Sequence, residues 1–443
     1  MAEKPQGITA ITVGGYKSIR DETTIEIRPL TILAGANSSG KSSIMQPMLM
    51  MKQTLDATYD PGPLRIDGPN VTFTEYEQFV PKSRKQGDHV MVAAFKSRAK
   101  VFAFNQEMYL NNEFTIGESN NGNNVVRLSK MSSDYLHSDI VISPEMTSAD
   151  ITRHVPYVSD GEWEVVPKRC FLYLEKTDTQ NVPGWELTIS HTSPFVNPAS
   201  VLEPAIATLI HVPGLRGIPS RAYPVAHVQG PGFPGHFQHY VGSLLLQWLE
   251  ESDASFSLTE KDLIHLNLTK WVKPQRVDDT RIEILVGRLP VSAQANPRDD
   301  LVNIADVGIG VSQVLPVIVA LIAAQPGQMV YIEQPEMHLH PNAQVALAGV
   351  IADAAKRGVR VVAETHSSLL LQGAMTLIAQ DKLDHEDVML HWFTRDDEGY
   401  TKVDSVEPDR NGAYGDWPED FGDVELDITG RYLDAVADRE LVT

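Results

Sequence analysis

The segment GANSSGKS at residues 35–42 constrains the fold of this chain more than any other feature. It matches the pattern G-x-x-x-x-G-K-[ST], in which a glycine-rich loop connects a buried strand to a helix. The apolar run LTILAG leads into the loop, and SSIMQPMLMMKQTL after it has the Met and Leu spacing of a helix. The sequence therefore predicts an α/β fold with this loop at the end of a sheet strand.

The residue types of this loop suit phosphate binding. Gly35 and Gly40 let the backbone wrap closely around phosphate oxygens, where its N–H groups become donors. Lys41 supplies a positive charge for the β- and γ-phosphates, and Ser42 offers a hydroxyl to magnesium at a helix N-terminus. A chance glycine-rich turn is the alternative, and the flanking strand and helix disfavour it. The predicted nucleotide-binding residues of the loop are Gly35, Ala36, Asn37, Ser38, Ser39, Gly40, Lys41, Ser42 and Ser43.

Two further apolar strands end in polar residues. The strand in QMVYIEQPEMHLHP (328–341) ends at Glu333, a carboxylate placed where magnesium would sit, so Ser42 and Glu333 form the predicted metal site. The strand in VRVVAETHSS (359–368) is followed by His366, whose imidazole suits a γ-phosphate contact. Each alone is typical of a structural strand end. Together with the phosphate loop, both are interpreted as functional.

A glycine-rich turn, ADVGIGVSQVLP (305–316), enters a long helix and is a further, weaker candidate anion site. The order of these four segments along the chain resembles that of ABC ATPases: Walker A, signature, Walker B and switch histidine. Within that superfamily, GYKSI (15–19) and EQPEMHLHP (333–341) resemble elements of the OLD-type and SMC-like ATPases.

The resemblance implies an α/β fold of the ABC ATPase head type, with a mixed β-sheet and P-loop, that binds ATP and magnesium. It also implies a head-to-head homodimer, or a higher homo-oligomer, in which each ATP lies between one chain's P-loop and the other's signature turn. Carried over to this sequence, Lys17 would lie near the nucleotide. The residues that would reach the partner's γ-phosphate are Gly308, Gly310 and Ser312.

One position departs from the ABC pattern. Where those proteins carry a catalytic glutamate directly after the Walker B acid, this chain has Gln334. A glutamine can orient a water molecule but cannot take its proton. Glu336 could substitute if the turn brings it close. We therefore expect slow ATP hydrolysis and a persistent ATP-bound dimer, with Glu333, Gln334, Glu336 and His366 as the predicted catalytic residues.

Changes in sequence character predict five segments. The first and fourth belong to the ATPase head, the second is a β-rich insertion, the third is a helix-leaning lobe and the last is an acidic C-terminal tail. Their predicted bounds are 1–80, 81–195, 196–300, 301–386 and 387–443.

Composition limits the classes of partner. The formal net charge of −21 argues against a broad basic surface for nucleic acid, although a local cluster lies at 81–100 with Lys82, Arg84, Lys85, Lys96, Arg98 and Lys100. A solvated face is the favoured interpretation of that cluster. No signal-like N-terminus is present, and the apolar stretch 314–324 falls short of the ~20 residues that span a bilayer. We therefore expect a cytoplasmic protein with no membrane contact.

Cysteine and histidine usage predicts no further chemistry. Cys170 is the single cysteine, so no internal disulfide can form, and burial as a small apolar side chain is the favoured interpretation. The pairs His236/His239 and His338/His340 have the spacing of zinc ligands but lack neighbouring cysteines or carboxylates.

OLD-type relatives often carry a Toprim nuclease domain after the ATPase, but the remainder of this chain after His366 is short and turn-rich. We expect no nuclease domain here. The leading hypothesis is an ATPase subunit of a bacterial anti-phage system that controls a separate effector, a nuclease or toxin. The alternative is an SMC-like DNA-binding ATPase of repair or chromosome maintenance. A transporter subunit is disfavoured by the β-rich insertion and the E-x-P-E element.

Overall fold

A central sheet is assembled from distant parts of the chain. Its strands are β3 (Leu30–Gly35), β11 (Ile210–Val212), β16 (Met329–Glu333), β17 (Arg360–Glu364), β18 (Val388–Arg395) and β19 (Thr401–Val406). The six strands lie in the order β11-β16-β17-β3-β18-β19, all parallel except β19. Strands of a parallel sheet are covered on both faces, and every residue of β3 and β17 is buried.

The computed structural model describes most of the chain. The described residues are 7–80, 93–103, 106–118, 124–134, 138–156, 158–182, 185–192, 197–217, 219–289, 300–415 and 430–433. The helices among them are α1 (Lys41–Leu55), α2 (Ser148–His154), α3 (Ala199–Ala207), α4 (Val241–Glu250), α5 (Ala254–His265), α6 (Ile309–Ala323), α7 (Pro341–Lys356) and α8 (Ser368–Ala379). Helix α7 begins where the sequence signals it, because His340 caps the N–H of Asn342 and Pro341 occupies the first turn.

A second sheet of six strands is antiparallel. It contains β1 (Gly7–Gly14), β2 (Thr23–Glu26), β4 (Ala93–Ala103), β5 (Gln106–Glu118), β6 (Asn124–Ser133) and β7 (Ile140–Ile142). Their order is β2-β1-β4-β5-β6-β7. Because β1 pairs directly with β4, this sheet crosses the predicted division between residues 80 and 81. The segment bounds as a whole stay a prediction.

Two smaller antiparallel sheets complete the strands. One has the order β10-β9-β8, with β8 (Glu162–Lys168), β9 (Phe171–Val182) and β10 (Trp185–Thr192). In the other, β14 (Arg281–Gly287) pairs with β12 (Tyr223–Pro224), β13 (Val272–Asp278) and β15 (Leu301–Asn303). The middle of the chain is therefore rich in strands, as its alternating apolar runs predict.

The central sheet separates two apolar cores. Side chains that alternate along its strands point to opposite faces, so Leu33 and Tyr331 join one core while Ile32 and Val330 join the other. The first core includes α1, the antiparallel six-stranded sheet and the buried Cys170. The second includes helices α4 to α8 and the sheet around β14. These two cores hold the carboxyl ends of β3, β16 and β17 at one edge of the molecule.

The predicted fold class, an α/β fold with a mixed sheet and a P-loop, is confirmed. The predicted C-terminal segment, 387–443, begins with strands of the central sheet: β18 lies directly beside the P-loop strand β3, and β19 continues the sheet. The bounds of that segment stay a prediction. Six consecutive buried residues, from Val388 to Phe393, explain why β18 takes an interior position. The acidic segment 416–429 lies outside the described residues.

Candidate nucleotide-binding site

The P-loop leaves β3 at Gly35 and enters α1 at Lys41. Gly35 and Gly40 have φ values of +138° and +107°, which residues with a side chain rarely adopt. A Cβ at Gly35 would lie 2.1 Å from the carbonyl oxygen of Phe393, and one at Gly40 would lie 2.2 Å from Thr401 Oγ1. The glycines are therefore required by the packing of β18 and β19 as well as by the shape of the loop.

Lys41 is buried within the curve of the loop. Its Nζ donates to the carbonyl oxygens of Gly35 and Ala36, at 3.0 and 2.7 Å. Burial lowers the pKa of Lys41, and the nearby charge of Glu364 opposes that shift. The ammonium group thus lies where loop N–H groups and the start of α1 also favour an anion.

A cavity of about 880 Å³ opens beside the loop, within the size range of small-ligand sites. Ten of the predicted site residues line it: Lys17, Asn37, Ser38, Ser39, Gly40, Lys41, Ser42, Ser43, Gln334 and His366. The others do not: Gly35, Ala36, Gly308, Gly310, Ser312, Glu333 and Glu336. Lys17 lies opposite the loop with φ +49° and its Nζ 4.6 Å from the ring centre of Phe73.

Glu364, at the end of β17, is a site residue that the sequence reasoning missed. It lines the cavity, and its Oε1 accepts a hydrogen bond of 3.0 Å from Ser42 Oγ. Its Oε2 accepts from the Tyr331 hydroxyl at 2.7 Å. Burial raises the pKa of Glu364, and the charge of Glu333 adds to that increase. The sequence does contain a signal for Glu364, because this residue ends an apolar strand just as Glu333 does.

Glu333 occupies the equivalent position on β16, in register with Glu364. Its Oε1 lies 3.3 Å from His211 Nε2, and its Oε2 accepts from the Gly214 N–H at 3.1 Å. Burial alone would raise the pKa of Glu333, but the hydrogen bond and charge of His211, together with the Gly214 N–H, lower it overall. The carboxylate is therefore held by the segment 211–214.

Arg216 fixes the turn after Glu333. Its Nη2 donates to the carbonyl oxygens of Glu333 and Gln334, at 2.8 and 3.2 Å. Gln334 has φ +45°, and its N–H donates to the Glu364 carbonyl at 2.7 Å. Burial lowers the pKa of Arg216 to about 10 despite the charges of Glu336 and Glu333. The turn is thus a constrained one that places the Gln334 side chain at the cavity wall.

Glu336 lies behind His366. Its Oε1 accepts from the His366 N–H at 3.1 Å, and its carboxyl is buried, which raises its pKa. The pKa of His366 is lowered by burial and by the charge of Lys41. Both shifts favour the neutral form of each side chain in the absence of a ligand.

The segment 305–316 forms a separate surface. Gly308 precedes α6 and is exposed, with open space where a Cβ would be. Gly310 lies in the first turn of α6, 3.3 Å from the carbonyl oxygen of His338 at its Cβ position. The Ser312 hydroxyl donates to the Ile309 carbonyl of its own helix at 2.8 Å. The helix start is therefore outside this chain's own cavity, with its glycines more accessible than Ser312.

The β18–β19 hairpin contributes a wall that the sequence reasoning did not identify. Arg395 Nε donates to the Ser38 carbonyl at 2.6 Å, and Thr401 Oγ1 donates to the Ser39 carbonyl at 2.8 Å. Arg395, Glu398, Gly399 and Tyr400 line the cavity. Sequence alone could not show that this hairpin meets residues more than 350 positions away.

The basic residues 96–100 of the predicted cluster contact acidic or aromatic side chains. Lys96 Nζ lies 3.1 Å from Glu22, Lys100 Nζ lies 3.9 Å from Glu107, and Arg98 stacks over the Tyr109 ring. Lys82, Arg84 and Lys85 lie outside the described residues. Within the described ranges, no group of three or more His, Cys, Asp or Glu side chains could hold a metal ion. No helix of that part of the chain is long and apolar enough to cross a bilayer.

Two family models match parts of the sequence. The model described as "AAA ATPase domain" matches residues 7–159, and the model described as "AAA domain, putative AbiEii toxin, Type IV TA system" matches residues 236–372. Each covers less than half of the chain. The first match contains the P-loop at 35–42, and the second contains Glu333 and His366. No curated protein matches this sequence.

Three solved structures of SMC head domains are similar to this chain, each with a TM-score below 0.5. An SmcHead bound to the C-winged helix domain of ScpA has a TM-score of 0.48 at 10% identity, covering 91% of this chain and 98% of its own. An SMC head domain from Thermotoga maritima has a TM-score of 0.40 at 10% identity, covering 90% and 99%. An Smc head domain with an extended coiled coil, bound to the C-terminal domain of ScpA derived from Pyrococcus furiosus, has a TM-score of 0.45 at 10% identity, covering 98% and 100%.

Proposed function

We propose that this chain binds ATP with magnesium in the P-loop cavity, hydrolyses it slowly, and pairs with a second copy while ATP is bound. The observation that carries the proposal is the convergence of Lys41, Ser42 and His366 on one cavity. These groups supply a cation for the β- and γ-phosphates, a hydroxyl for the metal and an imidazole near the terminal phosphate.

The donor set fits magnesium. This ion prefers hard oxygen ligands and is usually held by few protein groups together with substrate phosphates. Ser42 Oγ and the carboxylates at the ends of two neighbouring strands, Glu333 and Glu364, supply such oxygens. When bound, the ion would neutralise charge on the β- and γ-phosphates.

The proposal of slow hydrolysis is supported by which of the predicted catalytic residues at the turn after β16 line the cavity. Gln334 lines it, whereas Glu333 and Glu336 do not. A glutamine can orient the attacking water but cannot accept its proton. Because the Glu336 carboxyl is buried behind the His366 N–H, it would need to move before it could serve as a base.

Pairing is supported by the position of the α6 start. Gly308 and Gly310 lie outside the chain's own cavity, and Gly308 is exposed. An exposed helix N-terminus preceded by glycine suits a phosphate brought by another molecule. In the proposed dimer, the α6 start of each copy contacts the γ-phosphate bound by the other. The Ser312 hydroxyl, already bonded within its helix, would contribute after a rotation about χ1.

The biological role that we propose is control of a separate effector, a nuclease or toxin, in bacterial anti-phage defence. The description of the family matched at 236–372 names a putative toxin of a type IV toxin–antitoxin system, which supports a defence or toxin context. Direct DNA binding receives less support, since the described basic residues of β4 are paired with acids or stacked on an aromatic ring.

The test combines molecular mass, turnover and DNA binding. Light scattering after size-exclusion chromatography should show a monomer without nucleotide and a dimer with ATP and magnesium, while Lys41→Ala stays monomeric. Phosphate release should be below about 1 s⁻¹, the low end of ordinary enzyme turnover. Fast turnover, or an unchanged mass with saturating ATP, would contradict the proposal. ATP-dependent retention of a DNA duplex in a mobility-shift assay would instead favour the DNA-binding alternative.

A further inference from the structure

We infer that His211 and Asn70 are positioning residues, which hold the Glu333 carboxylate in the orientation that the magnesium ion of the nucleotide site needs. This inference rests on the proposed function and deepens it, because it names residues outside the cavity that set the metal affinity of the site. Neither His211 nor Asn70 lines the cavity, so we expect both to act on the metal through Glu333.

The first step of the network is the contact between His211 and Glu333. His211 lies on β11, the edge strand of the central sheet, opposite Tyr331 of the neighbouring β16. Its Nε2 lies 3.3 Å from Glu333 Oε1, while the Gly214 N–H donates to Oε2 at 3.1 Å. An ionised carboxylate has about four acceptor positions, so these two partners fix its plane and leave positions on both oxygens for a cation.

The second step fixes the His211 ring itself. The residue is buried, and its ring stacks on the Tyr331 ring with 5.3 Å between ring centres and 9° between planes. Its Nδ1 lies 3.1 Å from Asn70 Oδ1. Because a side-chain amide carries both a donor and an acceptor, Asn70 can pair with Nδ1 in either tautomer of the ring. The imidazole is therefore held on its far side while its Nε2 contacts the carboxylate, as outer partners of metal ligands commonly are.

The third step connects Asn70 to the helix that follows the P-loop. Gln53 of α1 is fully buried, and its Oε1 accepts from the N–H groups of Asn70 and Val71 at 3.1 and 2.9 Å. Its Nε2 donates to the carbonyl oxygens of Arg65 and Val71 at 2.7 and 3.0 Å. Four hydrogen bonds thus hold the loop 65–71 on α1, and the network runs from the phosphate-binding helix to the end of β16.

The Glu333 carboxylate needs such a network for a physical reason. Ordering a glutamate side chain costs up to about 2 kcal/mol, because it has several rotatable bonds. Glu364 lies in register beside it on β17, and two like charges repel each other. Partners that hold Glu333 before the metal arrives remove both costs from the binding step, so that the cation meets a carboxylate already in place.

The test compares His211→Ala with His211→Gln and with the control variant His391→Ala. A glutamine amide can place an N–H group close to the position of Nε2, so it restores the contact with Glu333. His391 is a second buried histidine of the central sheet, and its ring nitrogens contact Ser405 Oγ and the Glu26 carbonyl oxygen, at 2.8 Å each. The control therefore removes a buried, hydrogen-bonded imidazole without removing a partner of Glu333.

Paramagnetic resonance measures Mn²⁺ binding to each protein in the presence of a non-hydrolysable ATP analogue. We expect the Mn²⁺ affinity to fall at least about tenfold in His211→Ala, as it does when outer partners of metal ligands are removed. In His211→Gln and His391→Ala it should stay within about threefold of the wild-type value. Calorimetric titration with the analogue in EDTA should give similar affinities for all four proteins, because the P-loop is unchanged.

Asn70→Ala tests the outer part of the network. It should lower the Mn²⁺ affinity by at least about threefold, and the double variant with His211→Ala should lose no more than His211→Ala alone, because Asn70 acts through the ring. If His211→Ala fails to fold by circular dichroism, Asn70→Ala, at a half-buried position, replaces it in the comparison with His211→Gln and His391→Ala.

The outcomes separate the inference from the proposed function. An unchanged Mn²⁺ affinity in His211→Ala, an equal loss in His391→Ala, or additive losses in the double variant would overturn the inference while leaving ATP binding intact. An equal loss of analogue binding in EDTA would assign His211 a structural role only and would overturn it as well. Absence of analogue binding by the wild type, with Mn²⁺ and with EDTA, would instead overturn the proposed function.

Discussion

The two six-stranded sheets of this molecule differ in how their charged side chains are arranged. On the antiparallel sheet, basic residues of β4 form ion pairs with acidic residues of the neighbouring β5, as Lys96 does with Glu113 and Lys100 with Glu107. At the carboxyl ends of the central sheet, two glutamates of like sign lie in register. Like charges brought together in a buried place are costly, and a folded protein keeps such an arrangement where a ligand offsets it.

The comparison contrasts a solvated sheet face with the edge of the central sheet where we propose that ATP binds. Cross-strand pairs on a solvated face are worth little, because water and salt screen them. The strand ends of the central sheet are instead supported by a set of hydrogen bonds from Tyr331, His211 and Arg216. The number of residues that hold a charged group in place is therefore a better guide to function here than the charge itself.

The largest effect should come from Lys41→Ala. The change removes the buried ammonium that faces the cavity, and each charge-assisted hydrogen bond to phosphate is worth about 1.5–3 kcal/mol. Since about 1.4 kcal/mol corresponds to a factor of ten, ATP affinity should fall at least about 100-fold. Calorimetric titration measures this. An ATP affinity within tenfold of the wild-type value would contradict the proposal that ATP binds at the P-loop.

Gly310→Asp should abolish ATP-dependent pairing and leave ATP binding nearly unchanged. The new carboxylate would stand close to the His338 carbonyl, at a helix start that is proposed to meet a phosphate of the second copy. Repulsion from that phosphate would weaken the dimer by at least about 2 kcal/mol, or roughly 30-fold. Sedimentation velocity with ATP gives the mass and calorimetry the affinity. A dimer of normal stability would place the interface elsewhere.

Gly40→Ala should destabilise the fold. The residue has φ +107°, and its Cβ would meet Thr401 Oγ1 at 2.2 Å. Strain of this kind costs about 1–3 kcal/mol, apart from the collision with β19. Gly308→Ala is the matched control, because nothing lies within 4 Å of its Cβ position, and it should cost less than about 1 kcal/mol. Urea unfolding compares the two variants, and equal losses would refute the role given to the hairpin.

The smallest effect should come from Lys96→Ala on the antiparallel sheet. Its contacts with Glu22 and Glu113 lie on a solvated face, and such pairs contribute about 0–1 kcal/mol. Unfolding free energy should change by no more than that, and ATP affinity should not change. A loss of DNA retention or of ATP binding in this variant would show that the antiparallel sheet has a functional face.

The parts of the site that lie within short segments could be predicted from the sequence. The P-loop, its flanking strand and helix, and the strand ends at Glu333 and His366 each follow from short patterns, and the structure brings Lys41, Ser42 and His366 to one cavity. Glu364 was not predicted, because the functional role of this strand end was assigned to His366. Its role depends on which strand is next to β3, which is a property of the whole sheet.

Long-range pairing explains the remaining differences. The apolar run from Val388 to Phe393 predicts a strand, but nothing in it indicates that the strand joins the P-loop strand. Likewise, His211 and Arg216 are separated from Glu333 by more than 100 residues and meet it only because β11 pairs with β16. Such contacts arise from topology, and topology is not encoded in any one segment.

The most direct test of the account is a crystal structure with magnesium and a non-hydrolysable ATP analogue. We predict that the triphosphate lies along residues 36–43, with its terminal phosphate near His366 and the start of α6 from a second copy closing over it. A nucleotide bound away from the P-loop, or a P-loop nucleotide left uncovered in an ATP-saturated monomer, would contradict the account.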